Sequence, residues 1–118
     1  MRSERGATAV EFAMVLPVLL ILILGIVEFG RAFQLQASLA AAAREGVRIV
    51  ALQDDSATAV TTVTSVSPEV AAGDITITPC AGAGSQARVD IDHQYEFMTG
   101  FFGTGIPLTA RGVMRCHG

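Results

Sequence analysis

The sequence predicts an α+β chain: a long N-terminal helix, transmembrane and then amphipathic, packed on a small three-stranded antiparallel sheet. Three observations predict it. Residues 7–27 hold 17 apolar residues out of 21. A stripe of small and apolar residues then continues at helical spacing to about residue 53. Beyond residue 73, three segments alternate polar and apolar side chains. The expected organisation is a cytoplasmic leader at 1–6, a transmembrane helix at 7–28, an amphipathic extension at 29–53 and an extracytoplasmic head at 54–118.

Of 118 residues, 51% are hydrophobic and only 16% charged, against about 25% charged in soluble domains. The excess is concentrated in the first helix. From Phe12 to Val27 no charge interrupts the run, and Glu11 and Glu28 bracket it. At about 1.5 Å per residue, Ala7 to Val27 spans roughly 31 Å, the thickness of a bilayer's hydrocarbon core. Three readings compete: a cleaved signal peptide, a plain membrane anchor, and an anchor that is also an assembly element. The first lacks its small-x-small cleavage site, since EFGRAFQ follows Val27. Glu11 bears on the other two. A carboxylate in an apolar helix is expensive and is usually functional, although one near a helix start also reaches the headgroups by snorkelling.

The stretch Arg5-Gly6-Ala7-Thr8-Ala9-Val10-Glu11-Phe12 resembles the processing site of type IVb pilins and pseudopilins: a short basic leader, Gly, four residues, Glu and an aromatic. The continuation EFAMVLPVLLILILGIVEFGRAF, with the later AAAAREGVRIVA, resembles the TadE-like proteins of tight-adherence (Flp) pilus systems. The resemblance implies a pilin-like fold and cleavage between Gly6 and Ala7 by a prepilin peptidase. It also implies an assembly ion pair between Glu11 and the new α-amine of a neighbouring subunit. In apolar surroundings such groups favour each other's charged forms, and buried pairs are best attested as register devices. Phe12 stands where major pilins of this class carry Tyr, which fits a minor pilin or pseudopilin better. Arg2 and Arg5 against Glu4 favour a cytoplasmic N-terminus.

Past Glu28, Ala32, Leu35, Leu39, Ala42, Gly46 and Ile49 recur at spacings of three and four, one face of a helix. That face is expected to pack on the chain's own head rather than on another subunit. Pro17, Gly25 and Gly30 are soft points of the rod. Asp54-Asp55-Ser56 ends the long helix or caps a short one. Residues 56–66, SATAVTTVTSV, carry strand-like β-branching but no sustained alternation, and Pro68 ends them, so a short helix is expected.

Asp74 to Thr78 alternates strictly. In the next strand Val89, Ile91, His93, Tyr95 and Phe97 share one face, and Asp90, Asp92, Gln94 and Glu96 the other. In the last, Ile106, Leu108, Ala110 and Met114 oppose Thr109, Arg111, Val113 and Arg115. Such alternation suits an antiparallel sheet with one face buried. Its outer face offers cross-strand pairs between the acidic residues and Arg111 and Arg115. Cys80 and Cys116 follow the first and last strands, and an extracytoplasmic head makes a disulfide between them the natural reading. Phe101 and Phe102, in a Gly-rich loop, are either a core plug or a candidate partner contact.

Net charge is −3, which argues against a nucleic-acid partner. No nucleophile triad, phosphate loop or dinucleotide fingerprint is present. Cys80, Cys116, His93 and His117 lack the spacing of a zinc site, and Asp90-x-Asp92 is only a fragment of a calcium loop. The expectation is therefore a non-enzyme with no cofactor, no metal and no small-molecule substrate. Its expected partners are the membrane, the prepilin peptidase, other pilins or pseudopilins and the pilus assembly platform. The expected location is the cytoplasmic (inner) membrane, single-pass, with the head outside the cytoplasm or carried in a surface pilus. The alternative is an uncleaved anchored structural protein whose head binds another envelope component.

Overall fold

The computed structural model describes residues 2–116, with the side chains of residues 4–116. Helix α1 runs Arg2–Gln53, α2 runs Ser56–Val66, and a 3-10 turn at Ala72–Asp74 leads into three strands: β1 (Ile75–Thr78), β2 (Gln86–Glu96) and β3 (Gly105–Arg115). The chain forms two compact units, Met1–Arg31 and Ala32–Gly118, and α1 contributes to both. The arrangement is α+β, as the alternation and the helical stripe predict.

In the first unit the described chain is α1 alone. It passes through Pro17 without interruption. Nearly every side chain from Val10 to Val27 is exposed. Among the described residues this is the one helix long and apolar enough to cross a membrane.

In the second unit the rest of α1 lies on the sheet. Leu39, Ala42, Ala43 and Val50 are buried with Val89 and Ile91 of β2. The predicted stripe is the packing face, with one correction. Ile49 is only half-buried, whereas Val47, Val50 and Ala51 are buried. The face widens there because α2 folds back and buries Ala59 and Val63 in the same core.

Asp54 reverses the chain. It takes a left-handed conformation (φ 51°), which Asp tolerates better than most residues, and its N–H donates to the Val50 carbonyl at 3.1 Å. Asp55 then caps α2: its carboxylate accepts from the Thr58 N–H at 3.0 Å and from the Thr58 hydroxyl at 2.6 Å. Local capping therefore settles as helix a segment whose β-branched content leaned the other way.

The sheet order is β1-β2-β3, antiparallel throughout. Register pairs Ile75 with Ile91 and Ile91 with Ala110, so one row of apolar side chains crosses all three strands. Three contacts fix the direction of β3 along α1. The Gln36 amide donates to the Thr109 carbonyl at 2.6 Å. Gly112 lies against Ala43. Cys80, bonded to Cys116, has its Sγ 3.8 Å from the Val50 carbonyl oxygen. Within this unit β3 thus runs the same way as α1, and the β2–β3 loop lies at the Ala32 end.

Candidate processing and assembly site

Gly6, Ala7, Glu11 and Phe12 all lie on the opening turns of α1, and all four are exposed. The Thr8 hydroxyl donates back to the Glu4 carbonyl at 2.9 Å. A Cβ placed on Gly6 would meet no atom within 4 Å. Glycine in a helix costs roughly 0.5–1 kcal/mol relative to alanine, and no packing within this unit calls for it. Glu11 sits between Val10 and Phe12, which are 60% and 66% exposed. The carboxylate therefore opens an apolar surface left uncovered by the described chain around it.

The outer face of the sheet holds the expected charge pairs in a tighter form. Asp90 takes Arg111 Nε on one carboxylate oxygen at 2.6 Å and Arg88 Nε on the other at 2.9 Å. Asp90 and Arg111 are directly opposite across the strands, whereas Arg115 lies opposite Gln86. Asp90 is thus held between two arginines, while Asp92 is exposed. Sequence reasoning named Arg111 and missed Arg88, which reaches its partner two residues along the same strand.

Cys80 and Cys116 form a disulfide with 5.9 Å between their Cα atoms. It joins the chain just past β1 to the chain just past β3, and neither sulfur is available as a thiolate ligand. His93 Nδ1 lies 3.2 Å from Asp74 Oδ2. That hydrogen bond, with a second from the Ala71 N–H, holds the Asp74 carboxyl below the ordinary aspartate range. His117 lies outside the described residues. Among those described, no three His, Cys, Asp or Glu side chains cluster as a metal site would.

The β2–β3 loop is closed by the Phe97 N–H donating to the Thr104 carbonyl at 3.1 Å. Gly100 and Gly103 take positive φ (68° and 119°), a region costly for residues with a Cβ. Between them Phe101 and Phe102 stack edge to face, with ring centroids 5.3 Å apart. Both are exposed. Neither belongs to the buried core, which Tyr95 and Phe97 join instead.

The described chain thus combines an apolar helix long enough to cross a membrane with an α+β head closed by a disulfide. Residues 6–48 match the family described as TadE-like protein. Over that stretch the chain is similar to TadE-like proteins, which supports a component associated with tight-adherence pilus systems. The match opens at Gly6 and stops at Arg48, before α2 and the sheet. No curated protein and no solved structure matches the chain.

Proposed function

We propose that the chain is a minor pilin or pseudopilin of a tight-adherence pilus or related secretion system, matured by a prepilin peptidase between Gly6 and Ala7. One observation carries the reading: the TadE-like match begins at Gly6, a glycine with no packing role in its own unit, five residues before the carboxylate that opens the exposed apolar run. Glycine at a cleavage point lets a protease backbone approach closely. Residues 7–28 span the inner membrane, residues 1–6 face the cytoplasm, and the head lies outside it. In that compartment the Cys80–Cys116 disulfide is chemically at home.

Cleavage leaves an α-amine at Ala7, and Glu11 becomes the fifth mature residue. Pairing of that carboxylate with the amine of a neighbouring subunit sets register in the assembly, while the apolar run supplies packing area. The protein acts by assembling, not by catalysis.

Intact mass and N-terminal sequencing of protein from a host with an active prepilin peptidase test the reading. The expected product lacks residues 1–6. Recovery of chains that all begin at Met1 supports the uncleaved anchor instead. Glu11→Ala separates the two steps: it is cut like the parent, yet recovered in sheared surface fibres or in subunit crosslinks at a tenth of the parent level or less, about the effect of losing a buried pair.

A further inference from the structure

We propose that the second half of β3 is a strand-addition site: its free edge, from Arg111 to Arg115, takes an extended segment of another protein that carries carboxylates at every second residue. Neither processing at Gly6 nor a membrane span at residues 7–28 is needed for it.

The β2–β3 ladder decides which backbone groups face away from the sheet. Beyond one end of it the Phe97 N–H donates to the Thr104 carbonyl, and beyond the other the Cys116 N–H donates to the Ser85 carbonyl. Both bonds fall in the register of the ladder, and hydrogen-bonded pairs alternate along an antiparallel pair. The even-numbered residues of β3 therefore bond β2. The backbone groups of Pro107, Thr109, Arg111, Val113 and Arg115 point the other way, and β3 is the outermost strand on that side. Pro107 agrees with this assignment, because a proline is tolerated where its missing N–H would face outward.

An open edge invites pairing with other chains, and proteins usually shut it. Here one half is shut: Pro107 offers no N–H, and the Gln36 amide occupies the Thr109 carbonyl. The other half is left open because α1 crosses the sheet diagonally. It touches the outer edge of β3 at Gln36, lies on Gly112 at Ala43, approaches Val89 of β2 at Gly46, and meets Cys80 beyond β1 at Val50. Among the described residues, no hydrogen bond reaches the outward backbone groups of Arg111, Val113 or Arg115.

Charge selects the occupant. The side chains of Arg111, Val113 and Arg115 stand exposed on the outer face. Asp90 is already shared by Arg88 and Arg111 at 2.9 and 2.6 Å. Arg115 faces Gln86 across the strands, and Asp92 lies opposite Thr109 in the shut half. This stretch of edge thus carries excess positive charge. A strand with carboxylates beside Arg111 and Arg115 gains cross-strand pairs, and it covers Val113, which is 49% exposed. Backbone bonds supply affinity in such an arrangement and alternate side chains supply specificity. The same arginines oppose pairing with a second copy, whose edge has the same charge.

A fluorescein-labelled peptide alternating glutamate and valine, titrated with the full chain in an uncharged detergent and read by anisotropy, tests the site. Its glutamates share the outer face with Arg111 and Arg115, so their N–H groups face β3. Saturable binding is expected, weakened about tenfold or more by N-methylation of the glutamates and less than about threefold by N-methylation of the valines. Val113→Pro removes an outward N–H and spares the β2–β3 ladder, and it is expected to cost about tenfold. Arg115→Glu is expected to cost about threefold or more, and a lysine–valine peptide to bind the parent about tenfold more weakly. Equal affinity of the glutamate-methylated and unmodified peptides would show charge attraction alone and overturn the proposal. So would equal loss with either methylation, unchanged binding to Val113→Pro or Arg115→Glu, preference for the lysine peptide, or no saturable binding up to about 1 mM. Mass after thiol alkylation verifies the Cys80–Cys116 bond in each variant. Should Val113→Pro fail to form it, the two methylated peptides on the parent decide.

Discussion

Gly112 of β3 lies directly against the backbone of Ala43 in α1. A Cβ at position 112 would sit 2.8 Å from the Ala43 carbonyl carbon, closer still to its oxygen, and 3.1 Å from a methyl of Val47. The obstacle is backbone, which cannot rotate aside. Helix and strand meet here without a side chain between them, and Ala42 and Ala43 are the small residues that allow it.

Gly112→Ala is therefore expected to destabilise the protein by about 1–3 kcal/mol, the usual cost of overpacking. Gly73→Ala is the control, because a Cβ there meets nothing within 4 Å. Urea unfolding of the full chain in detergent, followed by circular dichroism, compares them. Equal midpoints for the two variants would show that helix and strand separate at little cost.

Gly46 makes the matching approach to α2. A Cβ on it would fall 2.6 Å from Val63 Cγ2 and 3.7 Å from both Val89 methyls. The blocking atom belongs to a β-branched side chain, which holds one rotamer in a helix. Gly46→Ala and Val63→Ala are each expected to cost about 1–3 kcal/mol, the first by crowding and the second by a cavity. The double variant should cost less than the sum, by about 0.5–2 kcal/mol of coupling, because the new methyl enters the vacated space. Strictly additive losses in a double-mutant cycle would mean that Gly46 and Val63 do not share that space.

These contacts show where sequence reasoning reached and where it stopped. The strands were legible because period two is unambiguous: Val89, Ile91 and Tyr95 are buried where alternation places them. The stripe on α1 was legible for the same kind of reason. Its widening at Val47, Val50 and Ala51 was not, because that depends on a reversal at Asp54 that puts α2 over the face. Hydrophobicity alone leaves Phe101 and Phe102 open between core and surface, because a Gly-rich loop has no periodicity to assign them a face. Gly6 and Glu11 stand out in sequence for a different reason. Packing within their unit explains neither, so their spacing was the available signal.

Acid stability follows from two carboxylates. Hydrogen bonds from the Thr58 hydroxyl and then the Thr58 N–H lower the Asp55 pKa, and those from His93 and then the Ala71 N–H lower that of Asp74. A folded pKa below the unfolded one means that the unfolded chain binds more protons between the two values, so stability rises with pH there. The contribution is complete above about pH 4 and is lost as pH falls through the folded values. Asp55→Asn keeps a capping oxygen without the titration, and Asp74→Asn removes the other group. The double variant is expected to show a flatter acid limb than the parent in unfolding midpoints between about pH 2 and pH 6. Parallel curves would assign the acid limb to other groups.

The disulfide is the largest single restraint on the head. Cys80 and Cys116 are 36 residues apart in sequence, and the bond ties the ends of both edge strands across β2. Cys116 is buried, and its N–H donates to the Ser85 carbonyl at 2.8 Å, so the loop before β2 is fastened at the same point. In the chain-entropy account, a loop of this size restricts the unfolded chain by about 4 kcal/mol. A core built largely from alanine and valine has little apolar area to replace that. Cys80→Ser with Cys116→Ser is expected to lose about 2–4 kcal/mol in guanidinium unfolding. The parent should fall to the same midpoint when a phosphine reductant is added, and the double variant should not respond to it. A parent whose midpoint is unchanged by reduction would place the stability of the head in its helix-on-sheet core alone.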